Sequence, residues 1–209
     1  VFDSTIGARF PNPRVIERYG NDTMPQTGDN VAREFGISRE EADRFAAASQ
    51  AKWAAASAAG FFSGEIAAVS VPTGRKSPPR AVAEDEHPRP ETTLESLQRL
   101  KPLFEGGVVT AGNASGINDG AAGLLVGSRA IGERVGVKPL ARVLAGAAAG
   151  VAPRIMGIGP AYAIPKALRR AGLRLADLDV IEINEAFASQ VLSCLTLMDI
   201  RFDDPRVNP

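Results

Sequence analysis

The chain has 209 residues, 44% hydrophobic and 23% charged, enough to bury a sizeable core as one large domain or two small ones. Twenty-four Lys and Arg balance 24 Asp and Glu. That neutrality leaves no charge footprint for nucleic acid or an anionic membrane surface. One Cys and one His exclude an internal disulfide, a CxxC redox pair and a Cys-rich zinc site, and no metal is implied. No apolar run approaches the ~18 residues needed to span a bilayer. The first residue is Val1, with no basic and apolar leader after it, so the chain is expected to begin partway through a longer protein, in the cytoplasm.

The composition shifts near Gly106-Gly107, and the chain divides there into residues 1–107 and 108–209. The first part is helical and charged. Thr27 to Phe35 reads as a short helix ended by Gly36. Ser38 with Glu41 forms a capping box, because the hydroxyl takes an orphan amide while the carboxylate reaches back to the cap. The helix it opens is expected to run to about Ala59, with one buried stripe of Phe45, Ala46, Ser49, Trp53 and Ala56. Ile66 to Val71 reads as a strand and Thr73 to Pro90 as loop. A second capping box, Thr92 with Glu95, opens a short helix ending near Leu100. In the second part, Gly123 to Val126, Leu140 to Leu144 and Asp179 to Ile183 read as strands. They alternate with helices at Arg129 to Arg134, Ala161 to Ala171 and from after Asn184 to about Met198. Such alternation argues for an α/β layered sheet.

Three segments carry chemistry. Thr110-Ala-Gly-Asn-Ala-Ser-Gly-Ile-Asn-Asp-Gly-Ala122 mixes small residues, which let a backbone approach a ligand, with Asn113, Ser115, Asn118 and Asp119, which give directional hydrogen bonds. It is equally a loop with a helix cap. Arg154-Ile-Met-Gly-Ile-Gly-Pro160 offers Met156, a flexible thioether that lines an apolar pocket or simply fills core. Glu182-Ile-Asn-Glu-Ala-Phe-Ala188 places Asn184 and Glu185 at the carboxyl end of a strand, where open α/β sheets bind ligands. Asn184 there is either the cap of the next helix or an amide that positions a water or donates to a developing oxyanion.

In this order and spacing the three segments resemble the thiolases, acyltransferases that cleave or build 3-ketoacyl-CoA thioesters. The resemblance covers essentially the whole chain. Tyr19 to Glu34 and Thr110 to Ala122 resemble segments flanking the family's CoA channel. Thr5 to Pro13 and Asp85-Glu-His-Pro-Arg-Pro90 are similar to the 3-oxoadipyl-CoA thiolases of aromatic-compound breakdown.

The resemblance implies part of a thiolase-like layered α/β fold with a mainly helical loop domain over residues 1–107. CoA enters as substrate rather than as cofactor, and a homo-oligomer, dimer or tetramer, is expected. Asn184 is then the residue that fixes a catalytic water at an oxyanion hole. Ser115 hydrogen-bonds the pantetheine arm, and Phe104, Ala111, Ala186 and Phe187 pack along it. Met24 and Met156 flank the acyl pocket. Arg89 lies near the adenine, in a stretch with Arg75, Lys76 and Arg80 that is either a phosphate surface or a solvated loop. The family's nucleophilic Cys, its Gly-His-Pro histidine and its second Cys have no counterpart here. Cys194 shares a helix face with Phe187, Val191 and Met198 and reads as a buried structural thiol. His87 reads as a solvated loop residue. A non-catalytic CoA-binding relative is the alternative to an enzyme, and a ketoacyl synthase a more distant one.

Overall fold

The computed structural model describes residues 12–74, 77–118 and 120–209. Of the features singled out in the sequence, residues 5–11 of the Thr5 to Pro13 stretch, Arg75, Lys76 and Asp119 lie outside them.

Helix α1 (Pro13–Tyr19) leads to α2 (Met24–Phe35), which starts a turn earlier than its apolar pattern suggested. Pro25 is tolerated there because the first helical turn needs no amide hydrogen from it. The Gln26 side chain accepts from the Thr23 amide at 2.7 Å, closing the cap. Helix α3 (Arg39–Ala58) opens at the expected box, with Ser38 N–H donating to Glu41 at 2.8 Å and Glu41 N–H donating to the Ser38 hydroxyl at 3.2 Å. Phe45 and Ala46 are buried on it, while Ser49, Trp53 and Ala56 are half-buried.

Two three-residue strands follow, β1 (Val69–Val71) and β2 (Arg80–Val82), paired antiparallel with Ser70 opposite Ala81. The stretch expected to be wholly loop thus returns one strand. Helix α4 (Leu94–Gln98) is capped by Thr93 and Ser96 rather than by Thr92 and Glu95, a register that turns Leu97 inward. Helices α5 (Arg129–Val135), α6 (Gly159–Ala171) and α7 (Ala188–Leu197) complete the order.

The strands expected at Gly123 to Val126 and Leu140 to Leu144 do not form among the described residues. A strand is held by its neighbour's backbone, and none pairs with them. Leu124, Leu125, Leu140 and Val143 stand almost wholly in solvent instead. The segment Asp179 to Ile183 fares better: Ile181 forms a parallel bridge with Val207.

The core ignores the compositional boundary at Gly106-Gly107. Ala42 and Phe45 of α3 pack with Ala161 of α6, Ile181, Ile183, and Val191, Leu192 and Leu195 of α7. Helix α7 runs through the middle, buried from Ala188 to Leu195. Gly28 lets α2 lie against it: a Cβ there would meet Val109 at 2.9 Å and Phe187 at 3.1 Å. Among the described residues, no helix is long and apolar enough to cross a membrane.

Candidate active site

A buried polar network builds the site. Asp43 of α3 is wholly inaccessible. It accepts from Arg39 Nε at 2.7 Å and from Asn113 Nδ2 at 2.9 Å. Asn113 turns its other end to accept from the Thr110 amide at 2.8 Å, and its Nδ2 also reaches the Val108 carbonyl. Asp29 of α2 accepts from the amides of Val108 and Val109 at 2.7 and 2.9 Å. Two carboxylates on two helices therefore shape the turn that carries Ser115. A Cβ at Gly107 would run into the Asp29 carboxylate, so that close approach requires glycine.

The turn then docks on the segment holding Asn184. Ala114 bridges antiparallel to Phe187, Ser115 N–H donates to the Ala186 carbonyl at 2.9 Å, and Ala188 N–H donates to the Asn113 carbonyl at 2.9 Å. Residues some 70 positions apart in sequence become neighbours through backbone bonds alone. Both then line one cavity of about 250 Å³, whose far wall is α3 with Ser49, Gln50 and Trp53.

Asn184 is exposed, and its carboxamide has no hydrogen-bond partner among the described residues. It is not a helix cap. Helix α7 begins four residues later, at Ala188, with Phe187 in the cap position.

Ser115, matched to the pantetheine arm, and Asn184, matched to the oxyanion water, line the cavity together. Ala186 is half-buried beside them and Phe187 packs inward against Gly28. Ala111 and Phe104 are exposed outside the cavity lining. Met24 and Met156 are 57% and 43% exposed, and neither lines the cavity. They sit on elements that pack together, α2 and the 3-10 turn Pro153–Ile158. Asp22 staples these by accepting from Arg154 Nε at 2.6 Å and from Asn30 at 3.0 Å. The Arg154 bond holds the Asp22 carboxyl below its usual range. Arg89 is exposed; its backbone amide donates to Gln50 at 2.8 Å, which ties its loop to α3.

The site also recruits residues that the sequence left aside. His87 is exposed, as expected of a loop residue, and it also lines the cavity, its ring over Gly116. Ser49 and Gln50 line it too, as does Glu185, which the sequence had singled out beside Asn184. The signal for Ser49 and Gln50 was faint: two polar residues on a helix read only for its buried stripe.

Cys194 is wholly buried, with its thiol against the Gly157 carbonyl at 3.3 Å. Burial pushes that thiol up, away from the reactive thiolate. No cluster of His, Cys, Asp and Glu suited to a metal occurs among the described residues.

Residues 9–130 match the family model of the thiolase N-terminal domain, and residues 137–209 that of the C-terminal domain. The beta-ketoadipyl-CoA thiolase of Pseudomonas aeruginosa is 54% identical over 208 residues, 99% of this chain and 51% of that protein. The 3-oxoadipyl-CoA/3-oxo-5,6-dehydrosuberyl-CoA thiolase of Escherichia coli is 49% identical over 210 residues, covering 100% and 52%. Among solved structures, human mitochondrial 3-ketoacyl-CoA thiolase in complex with CoA superposes with a TM-score of 0.82 at 43% identity, over 90% of this chain and 46% of that one. The Bacillus anthracis acetyl-CoA acetyltransferase gives 0.83 at 39%, over 97% and 52%. The chain spans about half the length of the curated relatives it matches.

Proposed function

The chain belongs to the thiolase family, and from that premise we propose that the protein containing it is an acyltransferase that cleaves 3-ketoacyl-CoA with CoA, or condenses two acyl-CoA units in reverse. The observation that carries the proposal is the meeting of Ser115 and Asn184 at one cavity, with the Asn184 carboxamide unpartnered among the described residues. A free amide in such a place can orient a water and, through it, stabilise the negative charge that develops on the CoA thioester oxygen as the carbon–carbon bond breaks. One such donor contributes about 10²–10³ in rate.

The reaction is nucleophilic covalent catalysis. A thiolate adds to the ketone carbonyl; the carbon–carbon bond breaks with its electron pair leaving as the acyl-CoA enolate, which takes up a proton; CoA thiol then attacks the acyl-enzyme thioester, taking the acyl group and returning the enzyme thiol. Cys194 does not supply that thiolate, because it is buried and its pKa is raised. The nucleophile therefore belongs to another cysteine, and residues 1–209 hold one cysteine only. This chain's contribution is to hold the pantetheine arm and the oxyanion. Ser115 presents its hydroxyl at the cavity, and Arg89 stands on the exposed loop tied to Gln50 as a partner for the nucleotide end of CoA.

For the substrate we propose 3-oxoadipyl-CoA. The support is identity: relatives at 49–54% that carry the names beta-ketoadipyl-CoA or 3-oxoadipyl-CoA thiolase. For the assembly we propose a cytoplasmic homo-oligomer, dimer or tetramer.

Thiolysis by the intact protein tests the proposal. Loss of the Mg²⁺-enolate absorbance of a 3-ketoacyl-CoA on adding CoA is expected, with 3-oxoadipyl-CoA turned over faster than acetoacetyl-CoA. CoA binding without turnover of either would leave a non-catalytic binding protein, and equal rates would remove the substrate assignment.

A further inference from the structure

Asn184 has a free side chain, yet the residues on both sides of it are clamped, and one residue far along the chain holds both clamps. The Asn208 carboxamide accepts from the Ile183 amide at 2.8 Å and donates to the Ile183 carbonyl at 2.9 Å. It thereby pairs with both backbone groups as a neighbouring strand would. The same Nδ2 donates to Glu185 Oε1 at 2.7 Å. The other Glu185 oxygen accepts from Ser49 of α3 at 2.6 Å. Backbone bonds extend the clamp: Asn208 N–H donates to the Ile181 carbonyl at 3.0 Å, and Ile181 N–H to the Arg206 carbonyl at 2.8 Å. From α3, Lys52 Nζ donates to the carbonyls of Val207 and Asn208 at 2.8 and 3.0 Å.

Asn208 has φ 42°, one of two non-glycine residues with positive φ among the described residues. Asn tolerates that left-handed conformation better than most residues. It is thus suited twice over, by backbone and by carboxamide. A left-handed residue kept in place by this many bonds marks a segment whose shape is fixed for a purpose.

We propose that Asn208 is the positioning residue for Asn184: by pinning Ile183 and Glu185 it holds the backbone between them, so that the Asn184 carboxamide meets the cavity in one orientation. Glu185 with Ser49 is the second arm of the device and ties it to α3. The proposal rests on the thiolase reading, in which Asn184 serves the oxyanion. Positioning of this kind is costly to lose, since a displacement of about 1 Å at a reacting centre lowers rate by about 10².

The test is a double-mutant cycle in the intact protein, read as kcat and KM for 3-ketoacyl-CoA thiolysis. Asn208→Gly keeps the left-handed backbone and deletes only the carboxamide. It is expected to lower kcat by about ten- to a hundred-fold with KM changed less than about threefold. In an Asn184→Ala background the same change is expected to cost less than about twofold, because the residue it positions is gone. Losses that multiply in the double variant would overturn the proposal, as would an unchanged kcat in Asn208→Gly. If Asn208→Gly does not fold, Glu185→Gln, which removes one acceptor at constant shape, runs through the same cycle with the same criteria. A wild-type protein with no thiolysis at all would refute the thiolase reading instead, which separates the two failures.

Discussion

Deleting the buried carboxylate of Asp43 should loosen the site and the fold together. Asp43→Ala strips two bonds from a wholly buried acceptor, to Arg39 Nε at 2.7 Å and to Asn113 Nδ2 at 2.9 Å. Hydrogen bonds to charged groups contribute about 1.5–3 kcal/mol each, and breaking one partner of a buried ion pair costs about 3–5 kcal/mol. The Arg39 side chain is 23% exposed and keeps its bonds to the Leu97 and Leu100 carbonyls, so water relieves part of its loss. The lower end, about 3 kcal/mol, is the expectation. For a chain of this size that is a fall of about 6–12 °C in Tm. Circular dichroism during heating measures it. Isothermal titration with CoA supplies the second readout: Asn113, freed from Asp43, no longer fixes the turn before Ser115, and CoA affinity should fall about tenfold or more. A Tm shift under about 2 °C with unchanged CoA affinity would mean that this network does not build the site.

Arg206 lies against Asp204 and holds its carboxyl down to about 2 from an ordinary 3.8. A depressed folded pKa contributes stability in full above about pH 4 and loses it as pH falls through about 2. Wild type should therefore lose more stability over that window than Asp204→Asn, by acid unfolding monitored at matched salt; parallel curves would contradict this. Arg89→Ala should weaken CoA more than dephospho-CoA if the side chain meets the 3′-phosphate; equal loss would remove the phosphate role, and no loss would leave a solvated loop. The chain of residues 1–209 alone should associate, through apolar residues such as Leu124, Leu125 and Leu140 that stand in solvent, and a clean monomer by light scattering would contradict that. It should also show no thiolysis, with iodoacetamide reaching Cys194 slowly until denaturant is added; rapid labelling with turnover that dies on labelling would place the chemistry here after all.

The parts of the fold legible in the sequence are those set by local rules. The Ser38–Glu41 box, the stripe of α3 and the buried face of α7 around Cys194 each follow from spacings of three or four residues. The cap of α4 moved by one residue because adjacent Thr92 and Thr93 offer the same hydroxyl, and the burial of Leu97 decides between them. Strand positions were less legible, since an apolar run becomes a strand only when a partner pairs with it. Ile181 has Val207 within the chain, and Leu124 to Val126 has none among the described residues. In the site, Ser115 and Asn184 were visible through the segments that carry them. Ser49, Lys52 and Asn208 were not: Ser49 and Lys52 bond residues 136 to 156 positions away, and the Asn208 side chain bonds residues 23 to 25 positions away, meetings that no local pattern encodes.

On the proposed function, the carboxamide of Asn184 serves the reaction rather than the fold. Replacing it with alanine in the intact protein and measuring thiolysis beside thermal unfolding tests this most directly. The expected result is a fall in kcat of about 10²-fold or more with a Tm within about 2 °C of wild type, because the side chain caps no helix and bonds to no described neighbour. A variant that keeps its rate but melts several degrees lower would contradict it.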